Sequence, residues 1–194
     1  MTSSQPLPPT KSGYGAPPNI RQMRSFILFI FTFCFMSIQA VAQPPLIQEF
    51  LTKWDNSKDY TLELLKSCPE HKLDFRPADS VMTFREQVVH MTVNMVWLGG
   101  TYLQEKKFAS TLDRNKKYSK DDLIRIMDDA FTFSRDIVKE LKPEDLEQRV
   151  DFFAGNFTKR QILNLMDDHV THHRGELIVY LRLNGIKPPP YRGW

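Results

Sequence analysis

The stretch TKRQILNLMDDHVTHHRGELIVYLRLNG, residues 158–185, has the pattern of one complete amphipathic helix with its own start and stop signals. Thr158 and Gln161 match a capping box, in which each side chain satisfies a free backbone donor at the helix N-terminus. Gly185 suits the left-handed conformation that ends many helices. Between these residues the apolar positions recur every three or four residues, as on one helix face. They are Ile162, Met166, Val170, Leu177, Tyr180 and Leu181.

Two histidines lie on the apolar face of this helix. His169 and His173 are four residues apart, so on a helix they lie about 40° apart and one turn from each other. They extend the apolar stripe, and we therefore expect both to point into the protein interior. At this spacing the two imidazoles can reach a single metal ion.

Two further helices are predicted upstream. Apolar residues recur at helical spacing over residues 46–65, and Pro69 limits this first helix. Thr83 and Glu86 form a second capping-box pattern, so another helix is expected to begin at about residue 84. This second helix is apolar nearly all round, which predicts that it is the most buried of the set.

A third helix is predicted in the middle of the chain. Gly99 and Gly100 are expected to weaken the end of the second helix. Ser119 and Asp122 repeat the capping signature, an apolar stripe follows, and Pro143 closes this third helix.

These four segments predict an all-α fold, a four-helix bundle. No segment shows strand alternation over a useful length, although residues 150–153 are a candidate for a short extended piece. Connections of about fifteen residues exceed the short loops usual in bundles, which favours a crossover connection.

His90 adds a third imidazole to the predicted interior, because it lies in the apolar second helix. Burying neutral imidazoles without partners costs a few kcal/mol each, so three together call for an explanation. Each could instead bond to a carbonyl or carboxylate, but a metal ion accounts for the set of His90, His169 and His173 at once. Three His ligands with an open position are typical of catalytic zinc, and nickel, iron or manganese also accept imidazole.

Several polar residues near these histidines are secondary candidates. His172 lies about 100° round the helix from its neighbour, so it is interpreted as an outer-shell or surface residue. Asp168 and Glu176 are within a turn of the pair and are candidates to orient an imidazole or act as a base; a solvated helix face is the alternative. Asn94 follows His90 by one turn, and Tyr180 could present its hydroxyl to the site or simply pack in the core.

The first 42 residues look like processing signals. Residues 1–22 are rich in Ser, Pro and Gly, which predicts a disordered extension or a start codon assigned too early, with Met23 as the true start. Residues 23–42 combine arginines, an apolar run and a small-residue triplet, the layout of a signal peptide. A retained membrane anchor is the alternative. We therefore expect the mature chain, residues 43–194, to be exported to the periplasm or outside the cell, without stable membrane insertion.

The charge balance excludes a nucleic-acid-binding protein. The full chain has 26 basic and 23 acidic residues, but three of the bases and none of the acids precede residue 43. The mature domain is therefore neutral and has no broad basic field for phosphates. Cys68 would be its single cysteine, so no internal disulfide is expected. Its position at a predicted helix end favours a structural thiol.

Taken together, these motifs resemble the DinB-like superfamily of metal-binding four-helix bundles. The resemblance rests on residues 158–191 and on Leu73-Asp-Phe-Arg-Pro with Met82-Thr-Phe and His90 following, and it covers about residues 46–194. It implies a metal triad at His90, His169 and His173, the same residues that the burial argument selects. The superfamily includes thiol-dependent transferases and isomerases, and Glu176 stands here where Gln is frequent in it.

Three functions are compatible with these observations. The first is a metal-dependent transferase or hydrolase acting on an unidentified small molecule, with the metal activating a water or thiol. The second is a non-catalytic module that binds a metal or small ligand, and the third is a purely structural bundle. No nucleophile elbow, phosphate loop or dinucleotide fingerprint is present, so the chemistry would come from the metal. A homodimer is a further possibility, given the apolar second helix.

Overall fold

In the computed structural model, the described residues are 46–193, and they form four long helices joined by shorter elements. The helices are α1 (Leu46–Ser67), α2 (Phe84–Trp97), α3 (Lys120–Glu140) and α4 (Lys159–Leu183). The predicted extension at residues 1–22 and the predicted signal peptide at residues 23–42 lie outside the described residues. Among the described helices, none is long and apolar enough to cross a membrane.

The helix ends follow the capping signals in the sequence. Thr83 accepts a hydrogen bond from the backbone of Glu86, whose carboxylate accepts one from the backbone N–H of Thr83 at 2.7 Å, which completes the capping box. Thr158 and Gln161 form the same box at the start of α4, and Ser119 caps α3 through the backbone of Asp122. At the far end of α4, Gly185 has a φ of +71°, a conformation that glycine adopts without strain. These predicted boundaries are confirmed.

The α-helical hydrogen bonding of α2 ends at Trp97, just before the two glycines that were expected to weaken it. The path continues as a π-helical segment over Leu98–Leu103. A Cβ at Gly100 would lie 2.5 Å from the carbonyl oxygen of Lys106, so the absence of a side chain permits this close backbone approach. Gly100 therefore serves tertiary packing here, and its effect on local helix propensity does not decide the structure.

A small β-hairpin precedes α4. Strands β1 (Arg149–Phe152) and β2 (Gly155–Thr158) pair antiparallel, with Val150 opposite Phe157. The short extended piece expected near residues 150–153 is thus present, and the all-α prediction is corrected to a mostly helical fold with one hairpin. The aromatic ring of Phe152 packs against those of Trp97 and Tyr102, with distances between ring centroids of 5.7 and 5.2 Å. This packing stabilises strands too short to be recognised from their alternation.

The core lies between the four helices. α1 packs against α3 and α4, and α2 packs against the same two helices. Eight of the fourteen residues of α2 are buried, a larger share than in the other three helices, which confirms the prediction for this helix. Because α2 and α4 are in contact, polar residues on their facing sides lie close together in an otherwise apolar interior.

Candidate metal centre

Three imidazoles from α2 and α4 converge in the interior. The Nε2 atoms of His90 and His169 are 3.0 Å apart. The ring of His173 lies 4.7 Å from that of His90 and 4.4 Å from that of His169, measured between centroids. One nitrogen from each of the three residues lies within 4.8 Å of the others. We refer to His90, His169 and His173 as the His cluster.

Burial keeps these imidazoles neutral at physiological pH. Burial, followed by the charges of the neighbouring imidazoles, lowers the pKa of His169 to about 4 and that of His173 to about 3. The pKa of His90 is also lowered, first by burial and then by the positive charge of Arg114. A neutral imidazole retains the lone pair that a metal ion requires, whereas a protonated one does not.

A hydrogen-bond chain sets the orientation of His173. Gln87, which is fully buried, donates its amide N–H to a carboxylate oxygen of Glu176. Since a carboxylate only accepts, this contact fixes the amide so that its oxygen, Oε1, faces Nδ1 of His173 at 2.5 Å. Nδ1 of His173 must therefore be the protonated nitrogen. The lone pair of this ring is then on Nε2, and second-sphere contacts of this kind are typical of metal-ligating histidines.

The donor set fits a divalent metal ion. Two nitrogens bound to one zinc-like ion at about 2.0–2.1 Å lie roughly 3.3 Å apart at a tetrahedral angle, close to the observed 3.0 Å between His90 and His169. Within residues 46–193, two buried side-chain atoms have no hydrogen-bond partner: Nδ1 of His169 and Oδ1 of Asn94. Buried polar atoms without partners are costly. With Nε2 as its ligand atom, His169 would still need an acceptor for the proton on Nδ1.

The secondary candidates from the sequence have different positions. Asp168 is exposed, and the structure does not bring it to the His cluster, since it lies about 100° round α4 from His169. His172 is exposed and faces Glu176, with 3.4 Å between Nε2 and a carboxylate oxygen. Tyr180 is buried and donates its hydroxyl to the carbonyl of Met82 at 2.9 Å.

A second group of possible metal-binding residues, His172, His173 and Glu176, shares one residue with the His cluster. Its carboxylate is already engaged with Gln87, and the His173 nitrogen that faces it at 3.9 Å is the one bonded to Gln87. This group therefore describes the surroundings of His173, and the His cluster is the better candidate metal centre.

A family comparison agrees with this geometry. The family model described as the DinB family matches residues 36–193. The chain belongs to the DinB family. Among curated proteins it is similar to the uncharacterized protein YjoA of Bacillus subtilis (strain 168), with 26% identity over 137 residues, 69% of this chain and 88% of that protein.

Solved structures of DinB-like proteins have the same fold. A DinB-like protein from Bacillus cereus ATCC 10987 matches with a TM-score of 0.66 and 20% identity, over 75% of this chain and 97% of that one. The crystal structure of YjoA matches with a TM-score of 0.61 and 24% identity, over 74% of this chain and 96% of that one. A conserved protein from Enterococcus faecalis matches with a TM-score of 0.56 and 14% identity, over 73% of this chain and 98% of that one.

Two residues of this DinB protein were not recognised from its sequence. Gln87 precedes His90 by three residues on α2, so a buried polar residue one turn before a candidate ligand was the available signal. Arg114 lies in the connection between α2 and α3, where the sequence gives no indication of its neighbours. It lines a cavity of about 170 Å³ together with His90, Glu86, Met82 and Val89.

Proposed function

We propose that this chain is an exported DinB protein that binds one divalent metal ion through His90, His169 and His173 and uses it in transferase or hydrolase chemistry. The substrate would be a small molecule that enters beside His90. The observation that carries the proposal is the convergence of three imidazoles whose pKa values burial lowers, with the lone pair of His173 oriented by Gln87.

Two features support this function: the facing nitrogen atoms of the His cluster, and a cavity through which a substrate could reach His90. His90 and His169 present their Nε2 atoms to each other, and the protonation of Nδ1 leaves Nε2 of His173 as its ligand atom. His90 is half-buried and lines a small cavity, so a substrate can approach from that side. Three protein ligands leave a coordination position for water or substrate, as in catalytic zinc sites.

The ion would supply Lewis acidity, which lowers the pKa of a bound water or thiol toward neutrality. The residues of the chain supply the orientation. Glu176 holds Gln87, and Gln87 holds His173 in one tautomer. Tyr180 is positioned 3.5 Å from the same amide nitrogen and is anchored to the carbonyl of Met82. Glu176 is the carboxylate nearest to His173 and is the candidate to accept a proton from the substrate.

Two further parts of the proposal concern the whole chain. We infer export from the signal-peptide pattern at residues 23–42, and N-terminal sequencing of the mature protein should begin near residue 43. The four helices would form the family's bundle with a crossover connection, which is supported by the packing of α1 and α2 against both α3 and α4.

Elemental analysis of the mature protein, purified without a His tag, tests the metal centre. We expect about one divalent ion per chain in the wild type and none in the His90→Ala variant. Adding metal should raise the melting temperature of the metal-free wild type and leave that of the variant unchanged. At a metal concentration 100 times Kd, the expected stabilisation is about 2.7 kcal/mol.

Metal content does not test catalysis, which needs a measurement of its own. In a cobalt-substituted protein, an open coordination position would be detected as a change in the visible spectrum when a small thiol is added. A metal-loaded protein whose spectrum never changes would support the non-catalytic binding module. No metal in either protein, with folding unchanged, would contradict the proposal as a whole.

A further inference from the structure

A basic cleft adjoins the His90 cavity. It has a volume of about 370 Å³ and is formed by the segment before α2, the first turn of α2 and the connection that precedes α3. The residues that line it are Asp74, Arg76, Thr83, Arg85, Glu86, Arg114, Asn115, Lys116 and Lys117. Five of these are basic and two are acidic, so the cleft has a formal charge of +3 in a domain whose total formal charge is zero.

The two acidic residues are already engaged. Asp74 binds Arg85 and Lys117, each at 2.8 Å, and these cations hold the pKa of its carboxyl near 2. Glu86 accepts a hydrogen bond from the backbone of Thr83 and so belongs to the helix cap. Asp74 is thus engaged by Arg85 and Lys117, and Glu86 interacts electrostatically with Arg76.

Three cations of the cleft form no hydrogen bond or ion pair with a carboxylate of the described residues, although Arg76 interacts electrostatically with Glu86 and Lys116 with Asp122. Among residues 46–193, Arg76 and Arg114 make no hydrogen bond or ion pair. Lys116 lies 4.9 Å from the ring centroid of Tyr118 and also has no carboxylate bound to it. Like charges held close together repel one another, and an anion bound between them would relieve that repulsion.

The walls of the cleft are fixed by a buried arginine. The side chain of Arg85 is 8% exposed, and its guanidinium donates to Asp74 on one wall and to the carbonyl of Tyr118 on the other. Tyr118 is itself buried, and its hydroxyl accepts the backbone N–H of Asp113 at 3.0 Å. The backbone of the segment that carries Arg114 is therefore tied to the core on both sides of this residue.

Arg114 and Glu86 connect this cleft to the metal centre. Both residues line the basic cleft, and both also line the smaller cavity that contains His90. A molecule with two functional ends could therefore occupy both spaces at once, with its acidic end in the cleft.

We propose that the basic cleft is an anion subsite, which binds a carboxylate or phosphate group of the substrate through Arg114 while the reacting end lies beside His90. The inference deepens the proposed function and rests on it for the role of the metal. Arginine suits this task because its planar guanidinium pairs with carboxylates and phosphates in two parallel hydrogen bonds. The subsite would make this DinB protein selective for acidic substrates over neutral ones.

Two small thiols that differ at one end provide the test. 3-Mercaptopropionate and 2-mercaptoethanol both present a thiol to the metal, but only the first has a carboxylate. In the cobalt-substituted mature protein, we expect 3-mercaptopropionate to bind roughly tenfold more tightly, as one charge-assisted hydrogen bond predicts. The Arg114→Gln variant should lose this preference without a change in folding, because the side chain is exposed.

Arg160→Gln is the matched control. Arg160 is an exposed arginine paired with Glu147 at the N-terminal end of α4, thirteen residues before His173 and so about 20 Å away along the helix. This variant should keep the full preference for the acidic thiol. Equal affinities for the two thiols in the wild type, or a preference that survives in Arg114→Gln, would overturn the inference while leaving the metal centre intact.

A titration without metal separates this inference from the proposed function. Inorganic phosphate and acetate are titrated calorimetrically into the metal-free protein at low salt. Binding that Arg114→Gln removes supports the subsite even if no thiol ever reaches a metal, and the tighter of the two anions identifies the group that the substrate carries. Absence of binding by both anions would reject the anion subsite whatever the outcome with thiols.

Discussion

Helix α4 carries two groups of buried polar side chains, and they differ in how completely they are hydrogen-bonded. Arg174 faces α1, where its guanidinium donates to Ser57 and Thr61 and lies 5.2 Å from the ring centroid of Tyr60. It also donates to Thr171 of its own helix. We call this set the Arg174 cluster. The His cluster faces α2, and there Nδ1 of His169 and Oδ1 of Asn94 have no partner within the described residues.

The difference separates a structural polar group from a functional one. A buried guanidinium is expensive unless it is hydrogen-bonded, and residues of the Arg174 cluster supply its partners from within the protein. The His cluster instead brings neutral imidazoles together and leaves buried polar atoms unpaired. Neutral imidazoles held side by side are what a metal site requires, whereas a fully hydrogen-bonded guanidinium is what stability requires.

The largest expected effect is on metal affinity. His169→Ala should lower the affinity for zinc at least about 1000-fold, or roughly 4 kcal/mol, because loss of a ligand exceeds the 10- to 100-fold cost of losing a neighbour that orients one. Isothermal titration of the metal-free protein measures this change. His172→Ala is the matched control, since His172 is exposed, and it should keep wild-type affinity. Similar losses in both variants would remove the distinction between these adjacent histidines.

At the Arg174 cluster we expect a loss of stability without a loss of bound metal. Arg174→Ala should lower the free energy of unfolding by about 2–4 kcal/mol, since it removes charge-assisted hydrogen bonds and leaves the buried hydroxyl of Ser57 without its donor. Urea denaturation measures the loss, and metal content should stay at the wild-type value. Arg182 is exposed on the same helix, so Arg182→Ala should change stability by less than about 0.5 kcal/mol. An Arg174→Ala variant that loses its metal would show that the two clusters depend on each other.

A smaller effect should follow from removing the residue that orients His173. Gln87→Leu should weaken zinc binding about 10- to 100-fold, because Nδ1 of His173 loses its acceptor and the ring its fixed tautomer. Gln148→Leu replaces an exposed glutamine whose side chain donates to Asp145, and it should have no effect on affinity. If Gln87→Leu binds zinc as well as the wild type, the contact seen at His173 has no role in holding metal.

The smallest effect is expected at Cys68, which belongs to neither cluster. The thiol is buried, and burial raises its pKa to about 11, so almost no thiolate is present at pH 8. The native protein should react with a thiol reagent only slowly, and more rapidly as the pH approaches 11. Cys68→Ser should retain metal and lose no more than about 1 kcal/mol of stability. Rapid labelling of the folded protein at pH 8 would contradict the structural role predicted from the sequence.

Local signals explain why much of the helical fold could be predicted. A capping box depends on residues three positions apart, and the boxes at Thr83 and Thr158 occur where the sequence places them. The spacing of His169 and His173 likewise requires only helix geometry. The hairpin and the π-helical segment were harder to predict from the sequence. The first is stabilised by distant aromatic residues and the second by a close backbone approach at Gly100.

The sequence by itself determined the four helices, three of their N-terminal caps and the three histidines of the candidate metal centre. Each of these depends on periodicity or on contacts within one turn of the chain. Only the tertiary structure decided that Gln87 orients His173, that Asp168 points to solvent and that Arg114 lies beside His90. These relations join residues far apart in sequence, and they are set by how α2, α4 and the connecting segments pack together, which no local pattern encodes.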